Sequence, residues 1–83
     1  MKAAFREYRV VVSKDPDTQQ VVASVPALAI ADFGFDTEAA LRRLLRMIRF
    51  HLESLAAEGK PLPRETPSKE GVYLRVKLPA NAA

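Results

Sequence analysis

Eighty-three residues make one domain, and a domain of this size buries only about 60 to 65% of the surface its unfolded chain exposes. Hydrophobic residues at 48% and charged residues at 28% exclude a disordered chain, and the absence of cysteine excludes a disulfide framework or a thiolate zinc site. The net charge of +3 favours acidic partners, nucleic acid or an acidic protein face, without choosing between them. The thin core predicts a homodimer or higher oligomer. No run approaches the roughly 18 apolar residues of a membrane span, and Arg6 and Glu7 interrupt the N-terminus where a signal peptide turns apolar, so a cytoplasmic protein with no membrane contact is expected.

Residues 5–13 are rich in aromatic and β-branched types, with Tyr8, Val10 and Val12 on one side of a period of two, which predicts a first strand. Asp15-Pro16-Asp17 behind it is turn chemistry, because proline fixes φ and the aspartates bond local backbone, so a hairpin follows. Val21–Val25 reads as the second strand, ended by Pro26, which cannot donate to a ladder. Ala29–Phe33 reads as a third, closed by the turn residue Gly34.

From Thr37 to about Glu58 leucine, alanine, arginine and glutamate dominate, with no glycine or proline, and this predicts one long helix. Asp36 is the expected N-cap, Glu38 sits on the favourable side of the helix dipole, Gly59 suits a left-handed C′ position, and Pro61 forbids continuation. Leu41, Leu45, Ile48, Leu52 and Leu55 recur in steps of three and four and are expected to pack on the sheet. Arg42, Arg46, Arg49 and Glu53 follow the same steps on another face, where the arginines are candidate contacts for nucleic acid or protein. Met47 and Phe50 lie between the two faces and are the candidate oligomer interface. Residues 60–70, with three of the six prolines, read as an extended surface connection; Gly71–Leu78 alternates again as a fourth strand, and Ala80–Ala83 as a frayed tail.

A two-metal nuclease needs clustered carboxylates, and Glu7 with Glu53 or Glu58 offers a start, but Gly71–Pro79 contains no acid to complete the set. His51 is the only histidine, so no histidine pair exists for a metal and no cysteine for a nucleophile dyad; it is expected at the boundary of the core. Ser13, Ser24, Ser54 and Ser68 lack an evident base, and the three glycines form no phosphate loop. No catalytic residue, cofactor or metal is therefore assigned, and a binding module is expected in place of an enzyme. In a nucleic-acid reading, Tyr73 or Phe33 would stack on bases.

The order of features resembles the N-terminal domain of the HicB family of bacterial toxin–antitoxin antitoxins, including its small single-domain members. The residues that carry the likeness are Tyr8–Val12, Asp15–Asp17, Val25-Pro26, Gly34, Glu38 with Ala40-Leu41, and Gly59 with Pro61-Leu62-Pro63, spanning about residues 5 to 78. Phe35 and Asp36 stand where the family has aspartate and threonine, and Ala29-Ile30 where it has proline-glycine. The resemblance implies an α+β fold, β-β-β-α-β, a reduced ribonuclease-H-like sheet of order 3-2-1-4 with strand 4 parallel to strand 1 and the helix across one face. It also implies a non-catalytic regulatory module whose partner is a small basic toxin resembling a double-stranded-RNA-binding domain. Asp15, Asp17 and Asp32 would supply acidic contacts locally. Ending at Ala83, the sequence lacks the DNA-binding segment of full antitoxins, so operator binding by that route is not expected.

Overall fold

The computed structural model describes residues 4–65 and 71–79. Alternating β-branched and aromatic residues build β1 (Phe5–Lys14), β2 (Val21–Val25), β3 (Ile30–Gly34) and β4 (Val72–Lys77), and α1 (Thr37–Ala57) runs between the last two strands. The sheet has order β3-β2-β1-β4, so the α+β, β-β-β-α-β expectation holds. The expected parallel pairing of strand 4 does not. β4 runs antiparallel to β1, with Phe5 opposite Lys77 and Val10 opposite Val72. The reason lies in the connection behind the helix. Residues 62–65 follow β1 from the level of Arg6 to that of Arg9, so the chain regains the height of the sheet before β4 descends. The chirality preference of a parallel crossover therefore has no hold on this chain.

β1 divides its pairing between two neighbours. Its first half, Phe5–Val10, pairs with β4, and its second, Val11–Lys14, pairs with β2. The hairpin between β1 and β2 is held by Asp15, whose carboxylate accepts from the backbone N–H of Asp17 at 2.8 Å and of Thr18 at 3.4 Å. Between β2 and β3 lies a single 3₁₀ turn, Pro26–Leu28, that the sequence reading lacked, and it pushes the start of the strand to Ile30. The turn closes on Ala29 at φ 54°, a left-handed conformation that costs a non-glycine residue roughly 1 kcal/mol.

Both helix ends are specified as the sequence predicts. Asp36 is the N-cap, with its carboxylate accepting from the Ala39 N–H at 2.8 Å. At the other end Gly59 takes φ +71°, its N–H bonding the Ala56 carbonyl while the Lys60 N–H bonds that of Leu55, which is the paired closure of a Schellman motif. The buried seam is Ala40, Leu44, Ile48 and Leu52. The expected seam is thus corrected: Ala40 and Leu44 were not in it, and Leu41, Leu45 and Leu55 are only half-buried flanks. Steps of four place 40, 44, 48 and 52 on one slowly drifting line, while 41 and 45 sit about 100° away on the same cylinder.

The helix packs chiefly on β3 and β2 and only lightly on β4, because its first turn is drawn tightly against the end of β3. There Gly34 is the enabling residue. A Cβ at this position would stand 2.7 Å from the Ala40 nitrogen and 2.9 Å from both the Ala39 carbonyl carbon and its Cβ. Those neighbours are largely backbone and cannot give way.

The inner side of β1 and β4 is covered differently, by residues 60–65, which form part of the core cover instead of a purely surface connection. Leu62 packs on the core; the Tyr8 hydroxyl donates to the Pro63 carbonyl at 2.6 Å, and Arg6 Nη1 donates to the Leu62 carbonyl at 2.8 Å. Tyr8 and Val10 are fully or nearly buried as expected, but Val12, on the same side of β1, is exposed because it lies beyond this cover. The remaining expected segments, 66–70 and the tail 80–83, lie outside the described residues.

Two substitutions test this packing. Gly34→Ala is expected to cost about 2 to 3 kcal/mol, read as a lower urea midpoint at unchanged m-value, since the added carbon meets backbone. Tyr8→Phe keeps the ring and strips the hydroxyl from a part-buried carbonyl, so a loss of about 1 kcal/mol is expected in the same titration. No measurable change would mean that residues 62–63 do not close over β1 in solution.

Candidate interaction surface

With α1 and residues 60–65 on one face, no described element covers the other face of the sheet. Cross-strand register places Phe5, Glu7, Arg9 and Val11 of β1 there, together with Val22, Phe33, Tyr73, Arg75 and Lys77. The Arg75 guanidinium lies over the Phe5 ring at 4.4 Å. Tyr73 is half-buried on this face and Phe33 is exposed at its β3 edge.

The acidic residues weighed for metal binding are not brought together. Glu7 projects from the uncovered face, whereas Glu53 belongs to α1, on the opposite side of the sheet, and Glu58 is its C-cap. No group of three or more potential ligands gathers among the described residues. His51 sits half-buried at the edge of the core, as expected for a boundary residue. Glu58 and Lys60 form an exposed pair at 2.8 Å; the hydrogen bond and charge of the Lys60 ammonium hold the Glu58 carboxyl below its ordinary range, and the carboxylate in turn raises Lys60. This offsets a carboxylate at the unfavourable end of the helix dipole and has no reach into a site.

The arginines of α1 divide by partner. Arg42 pairs with Glu38 at 3.0 Å one turn away, both side chains well exposed, a contact of a few tenths of a kcal/mol. Arg43 crosses to β3, where Nε meets Asp32 Oδ1 at 3.3 Å and the guanidinium lies 5.3 Å from the Phe33 ring centroid. Asp32, one of three candidate acidic contacts, is thereby neutralised and only 14% exposed, leaving Asp15 and Asp17 in the hairpin turn. Arg46 and Arg49 have no ion-pair partner among the described residues. Arg49 instead borders a small recess of about 170 Å³ with Glu53, Lys77, Leu78 and Pro79.

Met47 and Phe50 stand where the sequence placed them, on the flank of the helix, and the fold adds what that flank faces. They line an open cleft of about 510 Å³ together with Asp32, Arg43 and Arg46, between the helix and the β3 edge. Phe50 is 70% exposed and Met47 36%. Two more aromatic groups are exposed near this edge: Phe33, 47% exposed on the uncovered face, which the sequence offered only as a base-stacking residue, and Phe35, 92% exposed, which it did not single out as surface. The alternation Ala31, Phe33, Phe35 about the inward Gly34 was legible, and the register of β3 against β2 bears out the edge position that the order 3-2-1-4 implied.

No helix among the described residues is long and apolar enough to cross a membrane. No family model, curated protein or solved structure matches this chain.

Proposed function

We propose that this chain is a non-catalytic protein-binding module of the HicB-like, antitoxin type, acting as a homo-oligomer through the Met47 and Phe50 flank of α1. The supporting observation is the exposure of Phe50 beside Met47 in a cleft walled by Arg43 and Arg46, since a large aromatic left in water on a small domain gains most from a partner. The sheet order and single helix agree with the fold that the resemblance implies, apart from the direction of β4. The proposed partner is a small basic toxin. Its attraction to a +3 chain has to be local, and Asp15 and Asp17 at the hairpin tip are the acids placed to supply it.

A second reading, RNA binding by the helix face, rests on Arg46 and Arg49, the cations of that face with no ion-pair partner among the described residues. The two readings separate on paired variants. Protein association predicts that Phe50→Ala weakens self-association about tenfold or more in sedimentation equilibrium while Arg46→Glu changes it little. RNA binding predicts the reverse pattern of sensitivity in titrations of a fluorescein-labelled 20-nucleotide RNA, with affinity falling steeply between 50 and 200 mM salt. The toxin assignment has its own test. The adjacent reading frame should encode a short chain with one catalytic histidine, and co-expression with it should restore growth; continued arrest would remove the toxin as partner and leave the self-association intact.

A further inference from the structure

The two edges of the sheet are unlike. β4 carries Arg75 and Lys77, and charges of one sign along an edge discourage another strand from adding there. β3 reads Ile-Ala-Asp-Phe-Gly, without proline or lysine, and its one charge, Asp32, is paired with Arg43 and accepts the Phe33 N–H at 2.8 Å, a bond that strand addition would have to exchange. β3 thus brings no unpaired charge of its own to a junction, whereas β4 brings Arg75 and Lys77; beside β3, on the helix side of the cleft, Arg46 is the one cation without an ion-pair partner among the described residues.

Exposed apolar groups lie on both sides of the same edge. Phe33 lies on the uncovered face, with the exposed Phe35 just past the end of the strand, while Met47 and Phe50 stand on the helix side. Phe33, Phe35 and Phe50 together expose the equivalent of about two whole phenylalanines, on the order of 400 Å². A stable two-chain interface needs about 800 Å² from each partner, so aromatic surface alone supplies about half, with Met47 and the strand backbone adding to it.

We infer that the occupant of this edge is a second copy of the chain, with β3 pairing antiparallel to its counterpart about a two-fold axis. The result is a continuous eight-stranded sheet, 4-1-2-3-3-2-1-4, with both helices side by side on one face. This deepens the self-association reading and rests on it. The symmetry is isologous, so each apolar group on either side of the edge meets the same patch of its partner. The Met47 and Phe50 flank closes over the strand junction on the helix side, and Phe33 and Phe35 form cross-strand aromatic contacts on the other.

The absence of cysteine makes spin labelling clean. Ala31→Cys on β3 and Val72→Cys on β4, both at exposed positions, are labelled in the full chain, and dipolar distances are measured under conditions where sedimentation shows association. With strands ~4.8 Å apart, pairing through β3 puts the two Cα atoms of residue 31 about 5 Å apart and those of residue 72 about 34 Å apart, and pairing through β4 reverses the two values. If the label at 31 itself lowers association, Ser24→Cys, opposite Ala31 on β2, reads about 15 Å for β3 pairing and about 25 Å for β4 pairing. The expected result is a short distance at 31, a long one at 72, and association at least ~10-fold weaker on Phe50→Glu with an unchanged circular dichroism spectrum. A dimer with the distances reversed, or long at both positions, overturns the β3 pairing while self-association stands. A chain that remains monomeric at millimolar concentration overturns both.

Discussion

The architecture depends on one close approach, the seating of the first helical turn on Gly34. A strand that ends in a residue without a side chain allows the backbone of Ala39 and Ala40 to lie within van der Waals distance of it. Asp36 then satisfies the exposed N–H of Ala39, so the helix starts at a defined residue and in a defined direction. From that fixed origin Ala40, Leu44, Ile48 and Leu52 run down over β3 and β2, with none of them exposed. A bulkier residue at 34 would lift the helix and open the seam along its whole length, since interiors packed like crystals do not absorb an extra carbon.

The same placement leaves half the sheet without a helix, and the chain solves this with its proline-rich connection. Prolines 61 and 63 hold residues 60–65 extended and contribute no N–H that would need a partner, while the carbonyls of Leu62 and Pro63 accept from Arg6 and Tyr8. A tyrosine that would otherwise bury an unpaired hydroxyl is satisfied at its tip and packed along its ring. Because this segment travels back along β1, β4 enters the sheet from the opposite end to the one a direct crossover would use. The antiparallel edge is thus a consequence of where the cover is needed.

Much of this was legible in the residues. Periodicity found all four strands, and turn and cap chemistry placed Asp15, Asp36 and Gly59, because each of those signals is local and acts within a few residues of itself. The helix seam was read right at Ile48 and Leu52 and off elsewhere: Leu41, Leu45 and Leu55 resemble Leu44 in every property but the angle from which the sheet meets them, and that angle is set at Gly34, outside the helix. The strand direction was misread for a related reason, since an extended connection carries no periodicity to say which way it runs. Of the surface residues, Met47 and Phe50 were found because they are large apolar groups lying between the leucine face and the arginine face. Phe33 was offered only as a base-stacking residue and Phe35 not at all, because an aromatic in or beside a strand pattern does not show from its own neighbours what lies over it.

Charge completes the division that packing begins. The ion pair from Arg43 to Asp32 and the one from Arg42 to Glu38 quench the helix on its β3 side and in its first turns, whereas Arg46, Arg49, Arg75 and Lys77 have no ion-pair partner among the described residues. The positive surplus of the chain therefore falls on the helix and on the β4 side of the sheet, and the β3 edge is left largely apolar, with Arg46 the one cation without an ion-pair partner among the described residues in the cleft beside it. An apolar edge associates by losing water and is insensitive to salt; a cationic one draws acidic partners over a distance set by the Debye length. Because the two lie on opposite margins of a four-stranded sheet, occupation of one leaves the other accessible, and a domain with so small a core can gain stability at β3 without giving up its charged surface.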